Sequence, residues 1–123
     1  MTNRTLLIVD DEKDVLSSLK RELRDEPYEI HTAGGGGEAL DTLKRHEVGV
    51  ILSDLMMPSM DGITLLEQVE RGHPDTVRLL LTGRGGYEAA VSAINRSRVF
   101  GFLTKPWSAD ALRQTLAGAF EHH

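Results

Sequence analysis

The sequence predicts an α/β fold in which helices cover both faces of a single five-stranded parallel sheet. Apolar runs of strand length alternate five times with segments whose apolar residues recur at helical spacing. Three of the runs, LLIV, VGVIL and VRLLL, are nearly continuous, as expected for strands buried on both sides. The length of 123 residues fits one domain. We place that domain at residues 1–121 and interpret residues 122–123 as a tail of the kind a purification tag leaves.

The predicted elements follow one another along the chain as five strand–helix units, which right-handed crossovers would connect. The strands are Thr5–Val9, Tyr28–Thr32, Gly49–Leu52, Val77–Leu81 and Val99–Leu103. The apolar helix stripes are Val15-Leu16-Leu19-Leu23, Ala39-Leu40-Leu43, Ile63-Leu65-Leu66-Val69, Ala89-Ala90-Val91-Ile94 and Leu112-Leu116-Ala119-Phe120. The glycine run Gly34–Gly37 is predicted to form a loop before the second helix. A phosphate cradle is disfavoured there because no Gly-Lys-Ser/Thr follows.

Composition narrows the classes of function. Hydrophobic residues make up 40% of the chain and charged residues 27%, with a net charge of −5, which argues against a broadly basic nucleic-acid surface. The absence of cysteine excludes disulfides, thiolate metal sites and cysteine nucleophiles. The N-terminal apolar run is too short for a signal sequence or a membrane span. We therefore expect a cytoplasmic protein that contacts neither membranes nor nucleic acid directly.

Polar residues at the predicted strand ends are the candidates for chemistry, because ligands of open α/β sheets bind beyond the carboxyl ends of the strands. Asp10 and Asp11 follow the first strand and Asp54 the third. Thr82 follows the fourth strand and Lys105 the fifth. Each has an ordinary explanation alone: an acid as a helix cap, a threonine ending a strand, a solvated lysine. Their coincidence at one edge of the sheet favours a site.

The chemistry of these groups suggests phosphoryl transfer. Three carboxylates at one place repel one another, and a hard divalent cation such as Mg²⁺ or Mn²⁺ would offset that repulsion. Asp54, on the central strand, is the best candidate nucleophile, since a carboxylate can form an acyl phosphate. Lys105 would supply a point charge and Thr82 a hydroxyl donor to the phosphoryl oxygens.

Four motifs in this order resemble the receiver domain of two-component response regulators over nearly the whole chain: LLIVDDE, SDLMMPSMDG, LLLTG and FLTKP. The resemblance implies a flavodoxin-like fold with strand order 2-1-3-4-5. It also implies phosphorylation of Asp54 by a sensor histidine kinase or a phosphotransfer protein. Such a domain is not a classical enzyme, since it catalyses only its own phosphorylation and dephosphorylation.

The resemblance further implies roles for individual residues. Asp11, Asp54, the backbone carbonyl of Met56 and, through water, Asp10 would bind the metal. Lys105 would hold a phosphoryl oxygen, and Thr82 and Phe102 would act as switch residues. A cis peptide bond is expected before Pro106. Phe102 also has an ordinary reading as core, and Asp61 is expected to cap the third helix.

Met56 and Arg84 stand two residues after Asp54 and Thr82. In the family these positions tune the access of water to the phosphoryl group, so we expect partial shielding and a slow-to-moderate decay. The glycine-rich segment Gly83–Gly86 departs from the family pattern and predicts a mobile loop, because glycine costs more entropy to order.

The partners implied by the resemblance are an output domain or partner protein that binds the face formed by the fourth helix, the fifth strand and the fifth helix. A homodimer formed on activation belongs to the same expectation. The basic run Arg96–Arg98 lies beside this face and is either a contact for an acidic partner or a solvated loop. The Lys-Pro-Trp ending after the fifth strand is similar to receivers attached to HD-type cyclic-di-nucleotide phosphodiesterases or to sigma-54-dependent activators.

Three alternative functions stay open at this point. A flavodoxin shares the fold, but Asp10-Asp11-Glu12 would repel the phosphate of FMN. A haloacid-dehalogenase-type phosphatase requires Asp-x-Asp after the first strand, which this sequence lacks. A stand-alone protein-binding module that is never phosphorylated would not need the complete set of acids, threonine and lysine.

Overall fold

The computed structural model describes residues 4–83, 88, 91, 92, 95 and 99–123. Its elements are β1 Thr5–Val9, α1 Lys13–Glu22, β2 Glu29–Ala33, α2 Gly36–Arg45, β3 Val50–Asp54, α3 Gly62–Gly72, β4 Val77–Thr82, β5 Gly101–Thr104 and α4 Ala109–His122. The strands form one parallel sheet in the order β2-β1-β3-β4-β5. The predicted fold class and strand order are confirmed.

The bounds of β1 match the predicted ones, and those of the other four strands differ by one or two residues. β3 and β4 extend to Asp54 and Thr82, so these two candidate residues are the last residues of their strands. β5 begins at Gly101 rather than at Val99. The last helix includes His122, one residue past the predicted domain boundary.

The prediction that Gly34–Gly37 forms a loop is wrong for its second half, because Gly36 and Gly37 belong to the first turn of α2. Close packing explains the glycine at position 36. A Cβ there would lie 2.5 Å from the sulfur of Met60, which is far inside van der Waals contact. The N-terminus of α2 therefore packs directly on the segment that connects β3 to α3.

The fourth predicted helix is only partly described. Glu88, Val91, Ser92 and Asn95 are helical, in agreement with the prediction. The predictions for Arg84, for the mobile loop at residues 84–86 and for the basic run at residues 96–98 lie outside the described residues. Within the described ranges, no helix combines the length and the apolar character that crossing a bilayer requires.

Successive strand residues point to opposite faces of the sheet, and each face has its own core. On one face Leu7, Ile51 and Leu80 pack against α2 and α3. On the other face Leu6, Leu52 and Leu79 pack against α1 and α4. Burying one such leucine side chain contributes roughly 1.5–3 kcal/mol relative to leaving it exposed. The two cores fix the sheet from both sides, and so fix the positions of the strand ends.

Side chains cap two of the helices. Asp61 precedes α3, and its carboxylate accepts a hydrogen bond from the backbone N–H of Thr64 at 2.7 Å, as predicted. Ser108 precedes α4, and its hydroxyl oxygen accepts from the N–H of Ala111 at 3.0 Å. Glu12 occupies the equivalent position before α1 without a side-chain cap.

We predict that Asp61→Ala lowers the free energy of unfolding by about 1 kcal/mol, because the first turn of α3 loses its side-chain acceptor. Urea unfolding followed by circular dichroism measures the change. Asp61→Asn keeps an acceptor oxygen and serves as the control, with a smaller loss. An equal loss in both variants would show that the cap is not what Asp61 contributes.

Candidate functional site

Three charged side chains meet at the carboxyl ends of β1, β3 and β5. Asp10 follows β1, Asp54 ends β3, and Lys105 follows β5. The Nζ atom of Lys105 lies 2.9 Å from Oδ2 of Asp10 and 3.2 Å from Oδ1 of Asp54. Strand order reverses between β1 and β3, so this is the place where open α/β sheets bind ligands.

Asp11 completes an acidic cluster with Asp10 and Asp54. One carboxylate oxygen from each of the three lies within 4.8 Å of the others. Asp10 is fully buried and Asp54 is 5% exposed, whereas Asp11 faces solvent. The buried Oδ2 of Asp10 meets Lys105 as an ion pair but accepts no well-aligned hydrogen bond from the described residues. Hard oxygen donors of this kind fit a Mg²⁺ ion.

Backbone hydrogen bonds hold the three side chains at their positions. The N–H of Asp10 donates to the carbonyl of Ala33 at 3.1 Å, and Oδ1 of Asp10 accepts from the N–H of Glu12 at 2.9 Å. Asp10 thus orders the turn that leads into α1. The N–H of Lys105 donates to the carbonyl of Thr82 at 2.7 Å, which ties the lysine to the end of β4.

The end of β3 is fixed by a close approach of Gly62. A Cβ on Gly62 would lie 2.1 Å from the carbonyl oxygen of Asp54, so only glycine fits there. The N–H of Gly62 donates to the carbonyl of Leu55 at 2.8 Å, and the N–H of Leu55 donates to Leu81 at 2.9 Å. The backbone that carries the Asp54 carboxylate is therefore held between β4 and the first turn of α3.

The charges at the site perturb one another. Burial raises the pKa of Asp54, and the neighbouring Asp10 and Asp11 add to this, although Lys105 acts in the opposite direction. Burial alone would lower the pKa of Lys105, but the close contacts of its ammonium with the carboxylates of Asp10 and Asp54, together with their negative charge, outweigh this effect and raise the pKa. Lys105 therefore remains protonated at neutral pH. Ionisation of Asp54 is unfavourable unless a further positive charge binds beside it.

Three further predicted site residues, Thr82, Phe102 and Met56, lie within the described part of the chain. Thr82 is buried, and its hydroxyl donates to the carbonyl of Gly83 at 3.3 Å rather than toward the carboxylates. Phe102 is partly buried and packs on the core at the α2–α3 face. Met56 directs its side chain outward and is 75% exposed. The peptide bond between Lys105 and Pro106 is cis, as expected.

Two contributors were missed by sequence reasoning. The carboxylate of Glu12 lies 3.8 Å from the Lys105 ammonium and is the third carboxylate beside it, after Asp10 and Asp54. Gly62 is the second, because it packs directly on the backbone of Asp54. The run of three acids Asp10-Asp11-Glu12 could have indicated that Glu12 lies at the site. Nothing local in the sequence signals the second contact.

The chain belongs to the response regulator receiver domain family, whose model matches residues 6–117. It is 40% identical over 116 residues to the transcriptional regulatory protein GlrR of Escherichia coli K12, covering 94% of this chain and 26% of that protein. It is 34% identical over 116 residues to the DNA-binding transcriptional regulator NtrC of Klebsiella pneumoniae, covering 94% of this chain and 24% of that protein. The chain thus spans about a quarter of the length of these relatives.

Similarity to solved structures agrees with this assignment. The signal receiver domain of an HD domain-containing protein from Pseudomonas fluorescens Pf-5 superposes with a TM-score of 0.93 at 36% identity, over 99% of this chain and 90% of that one. The protein is therefore a receiver domain of the two-component response regulators, and the flavodoxin and phosphatase alternatives are not favoured.

We predict that Asp54→Asn stabilises the metal-free protein at pH 7. The raised pKa of Asp54 means that its ionisation opposes folding, and Asn removes that charge. The stability that protonated Asp54 contributes is fully present below the ordinary carboxyl pKa of 3.8 and is lost as pH rises through the higher folded-state value. The gain of the variant should therefore be present at pH 7 and fade below about pH 4.

Thermal unfolding in EDTA at pH 7 and below about pH 4 measures this effect. The control is Asp75→Asn, because Asp75 is an exposed acid. A variant that is less stable than the parent at pH 7 would contradict the assigned electrostatics.

We predict that Gly62→Ala destabilises the protein by about 1–3 kcal/mol, because the new methyl group forces the backbone of Asp54 or Gly62 to shift. Gly72→Ala, at the other end of α3, is the matched control, since a Cβ there meets nothing within 4 Å. Urea unfolding of both variants separates the steric effect from helix propensity. Similar stability of the two would show that the tight contact relaxes without cost.

Proposed function

We propose that Asp54 accepts a phosphoryl group from the phosphohistidine of a sensor histidine kinase or a phosphotransfer protein. The observation that carries the proposal is the position of Asp54: its carboxylate ends the central strand beside Lys105 Nζ at 3.2 Å and near the oxygens of Asp10 and Asp11. Receiver domains of this family interact with histidine kinases and output domains, which supports the choice of donor.

In the proposed reaction a carboxylate oxygen of Asp54 attacks phosphorus, and the P–O bond forms as the P–N bond to the donor imidazole breaks. The backbone held by Gly62 and Leu81 keeps the attacking oxygen in place. Lys105 moves its ammonium from pairing two carboxylates to pairing a phosphoryl oxygen. The reaction depends mainly on positioning and charge, which this site supplies before the donor arrives.

Asp11, Asp54 and the carbonyl of Met56 would hold a Mg²⁺ or Mn²⁺ ion, with Asp10 contributing through water. When bound, the ion neutralises carboxylate charge and binds phosphoryl oxygens. The support for this assignment is the donor set itself: three carboxylates whose oxygens lie within 4.8 Å of one another, one of them from the fully buried Asp10.

We further propose that Thr82 and Phe102 respond to the phosphoryl group. The Thr82 hydroxyl would leave the carbonyl of Gly83 and donate to a phosphoryl oxygen, while Phe102 would move deeper into the core it already contacts. The exposed side chain of Met56 would slow the entry of water and prolong the phosphorylated state. We keep the same expectation for Arg84.

The response would reach a partner through the surface that includes β5 and α4, together with the fourth predicted helix. Relatives named as transcriptional regulators and a structural relative from an HD domain-containing protein suggest a transcriptional or a cyclic-di-nucleotide output in a longer protein. We place this signalling in the cytoplasm. Homodimerisation on activation and a domain ending at residue 121 belong to the same proposal.

We predict that acetyl phosphate with Mg²⁺ adds one phosphoryl group to the protein, observed as one added increment in intact mass. Asp54→Ala and chelation of the metal should each abolish the adduct, because they remove the nucleophile and the charge that offsets it. Asp61→Ala, which removes an acid from the same connecting segment but outside the site, is the control and should be labelled normally. Labelling that persists in the Asp54 variant would overturn the site assignment.

A further inference from the structure

A second group of metal-ligating side chains lies away from the acidic site. Glu29 and His31 are two residues apart on β2, and His46 follows directly after α2. One ligand atom from each lies within 4.8 Å of the others. Nε2 of His31 is 2.9 Å from Oε2 of Glu29, and the rings of His31 and His46 stack with centroids 4.2 Å apart.

This histidine cluster, Glu29, His31 and His46, is separate from the phosphorylation site. Residues two apart on a strand share a face, so Glu29 and His31 lie on the same face as Ala33, which α2 covers. Ala33 pairs with Val9, the residue before Asp10. At about 3.3 Å per residue, His31 and Glu29 lie about 7 and 13 Å back along the strand from that end.

We propose that Glu29, His31 and His46 bind a divalent transition-metal ion, with Zn²⁺ as the first candidate. Imidazole nitrogens suit Zn²⁺, Ni²⁺ and Cu²⁺, whereas Mg²⁺ prefers an all-oxygen site. Two histidines and one carboxylate are a known ligand set for such ions, and three protein ligands leave a position open for water or another ligand. The acidic site and the histidine cluster would therefore select different ions.

The geometry requires only side-chain adjustment. Donor atoms about 2.0–2.1 Å from a tetrahedral ion lie about 3.3 Å from one another. The 2.9 Å contact between His31 and Glu29 is slightly shorter than that separation, and all three donor atoms lie within 4.8 Å of one another. Rotation of the two stacked rings toward Glu29 would bring all three donors to one ion.

The backbone around the histidine cluster is already fixed. Glu29 and His31 pair in register with Thr5 and Leu7 of β1. The N–H of His46 donates to the carbonyl of Thr42 at 3.0 Å, which holds His46 against the end of α2. The side chain of Glu29 is 68% exposed and that of His31 26% exposed, so an ion can enter from solvent. A bound ion would link the edge strand to α2.

Neighbouring charges leave the position open to a cation. Arg45 precedes His46, but its guanidinium pairs with Asp41 one turn earlier on α2. Glu47 follows His46 and adds negative charge nearby. A simpler explanation is that Glu29 and His31 form an ordinary surface pair beside the stacked ring of His46. This explanation predicts no metal affinity, so a metal titration distinguishes the two.

The test uses the 123-residue chain with His122→Ala and His123→Ala, because a terminal histidine pair itself binds Zn²⁺. Calorimetric titration with ZnCl₂ in excess MgCl₂, which fills the acidic site, should give one Zn²⁺ per chain. His31→Ala and His46→Ala should each weaken binding at least about tenfold. His73→Ala, a histidine lining the same groove as His46 but outside the cluster, is the matched control and should leave affinity unchanged.

Affinity that is unchanged in both cluster variants, or no Zn²⁺ binding in the parent, would overturn the proposal. Circular dichroism of each metal-free variant confirms that it is folded before titration. As a second readout, Co²⁺ should broaden amide resonances around His31 and His46 in the presence of excess Mg²⁺. Broadening centred on Asp10 and Asp11 instead would overturn the location. Acetyl phosphate should still label the His46 variant, so this test stands apart from the proposed phosphorylation.

Discussion

The carboxylates at one end of the sheet repel one another, and the fold has to offset that repulsion. Asp10 and Asp54 are buried, where like charges are poorly screened, and Asp11 and Glu12 add to the same field. Lys105 offsets this charge. It follows β5, which is separated from β3 by β4, so its side chain crosses the end of β4 to reach Asp54 and Asp10. Two apolar cores, one on each face, supply the stability that holds the acids together.

The main chain at Asp54 is closely confined, whereas the proposed responses to a phosphoryl group involve side chains. The main chain of Asp54 is confined by β4 on one side and by Gly62 on the other. The groups expected to rearrange are side chains: the ammonium of Lys105, the hydroxyl of Thr82 and the ring of Phe102. When the backbone of a nucleophile is fixed, the entropy lost in positioning it is lost during folding and not during the reaction.

Sequence reasoning predicted the fold, and it predicted that Asp10, Asp54 and Lys105 lie together, because both follow from local patterns. Continuous apolar runs identify buried parallel strands, and the residues that follow them must meet at one edge of the sheet. It failed where contacts join distant segments. Gly62 touching Asp54 and Gly36 touching Met60 are matters of packing distance that no periodicity encodes. His31 and His46 are 15 positions apart, and neither stands at a strand end. A search for polar residues at the carboxyl ends of strands therefore does not identify them.

The hydrogen bond from the Lys105 N–H to the Thr82 carbonyl fixes the main chain of the proposed switch residue. With that carbonyl held, the Thr82 hydroxyl can change partner by rotation about its own Cα–Cβ bond, without a shift of the strand. Side-chain rotations take picoseconds to nanoseconds at exposed positions and longer in a core, whereas collective movements of helices take microseconds to milliseconds. Side chains at the strand ends would therefore respond to phosphorylation first. The slower movement of the helices that pack on them would set the rate of the output.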